Sequence, residues 1–144
     1  MRQGQPPRVG IFGIGLAAYW PQFEGLRERL EGYQRGIQAG LEAMGAEVVS
    51  AGLVDTARAA RQAGATLAAA RVDLVMLYTA TYATSSQVLP VAQAVDAPVV
   101  ILNLQPTRTL DYEAMTTGEI ERLITAAGRE PVERDTLYRV VAHA

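Results

Sequence analysis

The stretch VGIFGIGLAAYWPQF, from Val9 to Phe23, decides the fold of this chain. Its first part, Val9 to Ile14, is almost wholly apolar, carries no charge and does not alternate, which is typical of a strand covered on both faces. Its second part contains glycine, aromatic residues and Pro21, and a long amphipathic pattern follows. A buried strand that ends this way predicts a concave, partly polar lip at its carboxyl end. Ligands of open α/β sheets bind at that end.

Strand and helix patterns alternate from this stretch onward. Apolar residues recur every three or four positions from Leu26 to Met44, which predicts an α-helix, and Gly45 is a natural stop. The later predicted elements are a strand over Ala46 to Ala51, a helix capped by Asp55 or Thr56 and running to about Ala70, a strand over Leu74 to Tyr78, a helix capped by Ser85 or Ser86 and reaching Val95, and a strand over Val99 to Leu102.

This order of elements predicts a three-layer αβα fold with a doubly wound parallel sheet. Right-handed crossovers and short connections favour the flavodoxin-like strand order 2-1-3-4. A further helix is expected from Glu119 to Ala127, and Asp135 to His143 could form a fifth strand or a short helix. Gly32, Gly36 and Gly40 recur in the first helix and suggest the close approach of another backbone, in the sheet or in a second subunit, although plain helix-on-sheet packing is favoured.

Composition limits the classes of function. The 144 residues fit one domain with a loose lead-in over residues 1–7, and the net charge of -2 makes a nucleic-acid partner unexpected. The chain has no cysteine and no long apolar segment, so a cytoplasmic protein without membrane contact is expected. Its one histidine, His143, fits a frayed tail better than a base or a metal ligand. We therefore predict no catalytic residue and no metal ligand in this chain.

Polar and aromatic side chains follow three of the predicted strands where each strand ends. Because the carboxyl ends of neighbouring parallel strands meet at one edge of a sheet, these side chains should converge on one crevice. Neutral hydroxyl, amide and aromatic groups suit an uncharged polyol or sugar better than a phosphate. The alternative is that they only cap helices and satisfy loop backbone. The candidate substrate-binding residues are Tyr19, Thr79, Thr81, Tyr82, Asn103 and Gln105.

A glycine pattern in the first loop resembles a dinucleotide fingerprint. Gly13, Gly15 and Ala18 match G-x-G-x-x-A, whose mechanism needs a helix that opens at the glycines and an acidic residue that closes the second strand. Pro21 delays the helix, and a second strand that ends near Gly52 lacks the carboxylate. We therefore do not expect a nicotinamide cofactor. A nucleotide-dependent enzyme is a third and weak hypothesis.

Four segments of the chain resemble the amino-terminal domain of L-arabinose isomerase-like sugar isomerases. The resemblance covers Val9 to about Glu119, and its most specific blocks are GLAAYWPQF, TYATSSQVLP and LNLQP. It implies a flavodoxin-like domain of a larger aldose–ketose isomerase of the L-arabinose and L-fucose isomerase group. Such enzymes use a divalent ion such as Mn2+, held by glutamates and histidines of later domains, and they assemble into trimers or hexamers.

The resemblance also implies roles for individual residues. Tyr19, Tyr82 and Gln105 are the expected contacts with an L-arabinose-like monosaccharide, at a site shared with a neighbouring subunit of a homo-oligomer. From residue 120 to residue 144 the chain departs from the family, and the metal-binding residues have no counterpart in it. We therefore expect a substrate-covering and oligomerisation domain that is inactive alone. The alternative is a stand-alone sugar-binding or assembly module.

Overall fold

The computed structural model describes residues 5–104, which form a four-stranded parallel sheet flanked by helices. In chain order the elements are β1 (Arg8–Ile14), α1 (Leu26–Ala43), β2 (Glu47–Val54), α2 (Ala57–Ala70), β3 (Leu74–Thr79), α3 (Ser85–Ala94) and β4 (Val99–Leu102). The strand order is β2-β1-β3-β4, and every pairing is parallel. The predicted flavodoxin-like, three-layer α/β fold is therefore confirmed.

The helices divide between the two faces of the sheet. Helix α1 contacts β1 and β2 on one face, whereas α2 and α3 pack extensively on each other on the opposite face. Side chains of β1 and β3 alternate between the faces, so that Phe12, Val75 and Leu77 join the α2–α3 core. The two central strands, β1 and β3, are almost wholly apolar for that reason, since both of their faces are covered.

The alanine-rich composition of α2 allows it to lie very close to α3. Ala60 and Leu67 are fully buried, and a Cβ added to Gly64 would lie 2.9 Å from the carbonyl oxygen of Pro90. Only glycine permits this approach of helix to backbone. Helix α2 therefore lies in close contact with α3.

Strand β2 is longer than the sequence predicted. It continues past Ala51 to Val54, because the glycine that was expected to end it, Gly52 (φ +74°), forms a bulge instead. The register with β1 shifts there, from Ile11 opposite Ser50 to Gly13 opposite Leu53, so that β2 gains one residue. As a consequence the residue that follows the strand is a carboxylate, Asp55.

The structure identifies the capping residues of α2 and α3, for each of which the sequence offered two candidates. Thr56 caps α2 by accepting a hydrogen bond from the backbone amide of Ala59 at 3.2 Å. Helix α3 is capped by Thr84 rather than by Ser85 or Ser86. The backbone amide of Thr84 donates to Gln87 Oε1 at 2.9 Å, which completes a capping box.

The glycine series of α1 does not face the sheet. Within residues 5–104, and apart from the adjacent backbone of the helix itself, no atom lies within 4 Å of a Cβ added to Gly36 or Gly40, and at Gly32 the nearest is Nη2 of Arg35, 3.6 Å away. The expectation of a close backbone approach within the sheet is therefore wrong, and α1 packs on the sheet through Leu30 and Gln34 instead. Contact of this face with a second subunit stays a prediction.

Several predictions concern parts of the chain outside the described residues. These are Gln105, the helix from Glu119 to Ala127, the fifth strand and the divergent tail. Among the helices of residues 5–104, none has the length and apolarity that crossing a membrane requires.

Candidate functional site

The two loops of greatest interest meet between β1 and β3, where the chain direction across the sheet reverses. From β1 the chain moves to β2 on one side, and β3 and β4 lie on the other side. The backbone amides of Ala80 and Thr81 both donate to the carbonyl oxygen of Ile14, at 3.1 and 3.2 Å. The backbone amide of Leu16 donates to Thr81 Oγ1 at 3.2 Å. The loops after β1 and β3 are thus joined at the position where ligands of doubly wound sheets bind.

The side chain of Thr81 links the two loops at this junction. Its hydroxyl group accepts the hydrogen bond from Leu16 and donates one to the carbonyl oxygen of Tyr82 at 3.0 Å. The hydroxyl proton is therefore already used, and the side chain offers a ligand only a remaining lone pair. Thr79 is half-buried at the end of β3, opposite Ile14.

Aromatic side chains form the accessible part of the crevice. Tyr82 is 67% exposed, and Phe23 is 46% exposed. Tyr19 is half-buried and packs edge-to-face against Phe23, with ring centroids 6.0 Å apart. Asn103 is exposed directly after β4, at the same edge of the sheet. The structure thus brings the loops of Tyr19 and Tyr82 together, and it leaves Tyr82 free to contact a ligand.

A polar cluster that sequence reasoning missed lies beside these loops. Asp55 Oδ2 accepts a hydrogen bond from Trp20 Nε1 at 2.8 Å and pairs with Arg27 Nη1 at 3.1 Å. The guanidinium of Arg27 lies 5.8 Å from the centre of the Trp20 ring and also pairs with Glu31 at 2.9 Å. The hydrogen bond to Glu31, with the charge of Asp55, raises the pKa of Arg27 further above its ordinary value, so this cation is permanent.

The sequence did not predict this polar cluster because the predicted β2 was too short to place Asp55 directly after a strand. With β2 ending at Val54, an acidic residue does close the second strand, and that argument against a dinucleotide site is wrong. The other argument holds, since α1 begins only at Leu26, well after the glycines. The carboxylate of Asp55 is moreover engaged by Trp20 and Arg27.

Gly15 is required for packing rather than for phosphate binding. A Cβ added there would lie 2.7 Å from Cη2 of Trp20 and 2.9 Å from its Cζ2. The indole ring therefore occupies the space over Gly15 that a pyrophosphate would need.

Two buried polar side chains lie on the α1 face of the sheet. Gln34 is 4% exposed, its Nε2 donates to Ser50 Oγ at 3.3 Å, and its Oε1 has no hydrogen-bond partner within the described residues. Tyr78 is 2% exposed, and burial, followed by the charge of Tyr33, raises its pKa. Both groups are remote from solvent and support packing more directly than ligand contact.

Two clefts outlined by the described residues lie away from the crevice. One, of about 210 Å³, lies between α1 and β2 and includes Gln34, Arg35 and Ser50. The other, of about 370 Å³, lies at the carboxyl ends of α2 and α3 and includes Leu67 and Arg71. Neither contains a residue of the predicted sugar set.

Comparison with known proteins does not identify a family for this chain. No protein-family model matches the chain, and no curated protein matches its sequence. Within residues 5–104, the histidine, cysteine, aspartate and glutamate side chains form no group of three that could hold a metal ion.

Proposed function

We propose that the chain is the amino-terminal domain of an L-arabinose isomerase-like aldose–ketose isomerase, and that it covers an uncharged monosaccharide. In this proposal the loops that carry Tyr19 and Tyr82 contribute sugar contacts to a site completed by metal-binding residues outside this chain. Gln105 and Asn103 belong to the same set of contacts. As part of such an enzyme the chain would act in the cytoplasm.

The observation that supports the proposal most directly is the junction of the GLAAYW and TYATSS segments. These are the segments that resemble the family, and the hydrogen bond from Leu16 to Thr81 places them side by side. The accessible groups there are the phenol of Tyr82 and the aromatic pair of Tyr19 and Phe23. Rings with a polar edge bind the apolar faces and hydroxyl groups of a sugar at once.

The chain alone is expected not to isomerise sugars. Aldose–ketose isomerisation needs a proton-transfer base and, in this group of enzymes, a bound metal. The chain has one histidine, His143, and the carboxylate beside these loops, Asp55, is engaged by Trp20 and Arg27. Purified protein incubated with L-arabinose and Mn2+ should form no ketose. Appreciable conversion would contradict the proposal.

Calorimetric titration with L-arabinose tests the binding role. Replacing Tyr82 by Ala should weaken binding by about tenfold, since a ring contact and a hydrogen bond are lost. Leu89→Ala is the matched control, because Leu89 is also half-exposed but lies on α3 outside the loops. Equal weakening by both variants, or no binding by the unaltered chain, would contradict the assignment of the crevice.

A second candidate function, assembly through β4, is favoured by exposed aliphatic side chains. Val100 is 44% exposed on one face of the strand, and Ile101 is 71% exposed on the other. Apolar side chains at such exposure on neighbouring positions favour a protein contact. Light scattering should then report a dimer or a larger homo-oligomer that Ile101→Arg converts to monomer. A monomer at all concentrations would contradict an assembly role.

A further inference from the structure

The loop between β1 and α1, residues 15–25, has few hydrogen bonds to the rest of the described chain. Its first two residues are tied to neighbouring elements, Gly15 to Val54 at 3.0 Å and Leu16 to Thr81 at 3.2 Å. Beyond them, backbone hydrogen bonds such as the one from Phe23 to Tyr19, 3.0 Å, stay within the loop. Apart from the backbone bonds that lead into α1, from Leu26 to Phe23 and from Arg29 to Gly25, the hydrogen bond from Trp20 is the one among the described residues that ties this later part to another element.

The acceptor of that hydrogen bond sits on a rigid scaffold. Asp55 lies between the end of β2 and the cap of α2, and its backbone carbonyl accepts a hydrogen bond from Gln87 Nε2 at 3.3 Å. Its side chain is only 14% exposed. The position of the Asp55 carboxylate is therefore fixed by β2, α2 and α3. The position of the Trp20 loop, in contrast, depends on its hydrogen bond to that carboxylate.

The indole ring is held on two further sides. Its edge lies against the Cα of Gly15, where a Cβ would come within 2.7 Å, and the Arg27 guanidinium lies over the ring. Arg27 in turn pairs with Asp55 at 3.1 Å, so one carboxylate orients both the ring and the cation that covers it. A charge-assisted hydrogen bond in this partly buried place is stronger than a neutral one.

We propose that Asp55 is a positioning residue of the crevice, because it fixes Trp20 and thereby places the adjacent Tyr19. Asp55 does not contact the ligand. It keeps Tyr19 and Trp20, which are both half-buried, packed at the edge of the sheet. That this placement serves sugar binding rests on the proposed function. The placement itself exists without a ligand and can be measured without one.

Hydrogen exchange of the loop amides in the full chain is the test. Asp55→Ala and Trp20→Phe each remove one partner of the bond, and each should speed exchange of residues 19–25 by about tenfold. Amides of β1 and β3 should exchange as before. Asp55→Asn should give an intermediate result, because its amide oxygen can still accept from the indole but cannot pair with Arg27. Glu31→Gln, which alters only the other partner of Arg27, is the control.

The near-ultraviolet dichroism of Trp20 supplies a second readout, since the chain has a single tryptophan. It should weaken in Asp55→Ala and be partly restored in Asp55→Asn. Unchanged loop exchange in both Asp55→Ala and Trp20→Phe would overturn the proposal. A uniform acceleration across the sheet would also overturn it, because Asp55 would then only stabilise the fold.

Sugar affinity separates this proposal from the proposed function. If the unaltered chain binds L-arabinose, Asp55→Ala should weaken binding more than Glu31→Gln does, and equal affinities would contradict a positioning role. If the unaltered chain binds no sugar while loop exchange still responds to Asp55, the sugar-binding function fails and the positioning of the loop by Asp55 stands.

Discussion

Two single residues at the carboxyl end of β1, one in the strand and one directly after it, explain how the crevice is built. Gly13 and Gly15 look like a nucleotide fingerprint in the sequence, but each makes room for a side chain of this protein. A Cβ at Gly13 would lie 2.7 Å from Gln34 Oε1, and a Cβ at Gly15 would lie 2.7 Å from Trp20. Sequence reasoning could not show this, because the ring and the amide come from other parts of the chain.

The rigid ring over Gly15 leads to a prediction for Gly15→Ala. The new methyl group cannot fit unless Trp20 moves away from Asp55, so the variant should lose about 1–3 kcal/mol of unfolding free energy. Urea unfolding followed by far-ultraviolet dichroism measures the change. A variant as stable as the unaltered chain, with its Trp20 dichroism intact, would contradict the packing described.

The buried phenol of Tyr78 predicts a loss of stability at alkaline pH. Its pKa is raised in the folded chain from the ordinary value of 10.0, whereas the unfolded chain has the ordinary value. The contribution to stability is therefore complete below about pH 10 and is lost as the pH rises from there through the folded pKa. Urea unfolding on both sides of pH 10 should show a smaller alkaline loss for Tyr78→Phe. An equal loss in both proteins would contradict the assignment.

Among the elements, α1 was predicted almost to the residue and β2 was not. The apolar stripe from Leu26 to Met44 is long and regular, so its period identifies the helix by itself. The sequence predicts a second strand that ends at Ala51, yet the positive φ of Gly52 forms a bulge that lets the strand continue to Val54. Because of that one difference, the sequence did not place Asp55 directly after the strand, and the cluster of Asp55, Trp20 and Arg27 was not predicted.

The open environment of the α1 glycines predicts that alanine stabilises this helix. Gly36→Ala and Gly40→Ala add a methyl group where there is free space, and each should raise the unfolding free energy by about 0.5–1 kcal/mol. Gly45→Ala is the matched control. Gly45 has φ +87° at the helix end, so the same change should destabilise the chain. Thermal unfolding measures all three variants. Destabilisation by the first two would mean that the glycine face packs against a partner.

At the scale of the whole molecule, more of the fold than of the candidate site could be predicted from the sequence. Alternating apolar strands and periodic helices, with short connections, leave few topologies, and the order 2-1-3-4 is confirmed. The site depends on side chains that meet across the sheet. Tyr82 was predicted as a ligand contact and is accessible, whereas the hydroxyl of Thr81 is used to join two loops. Hydrogen-bond partners of this kind are not encoded in local spacing.

The central claim is that the carboxyl edge of the sheet, between the Tyr19 and Tyr82 loops, binds an uncharged sugar. The most direct test is to follow the backbone amide signals of the full chain by nuclear magnetic resonance while L-arabinose is added, with inorganic phosphate as the charged control. We predict saturable shifts confined to residues 15–25 and 79–84 with the sugar, and none with phosphate. The absence of such shifts with sugar, or shifts confined to the cleft around Gln34 and Ser50, would contradict the claim.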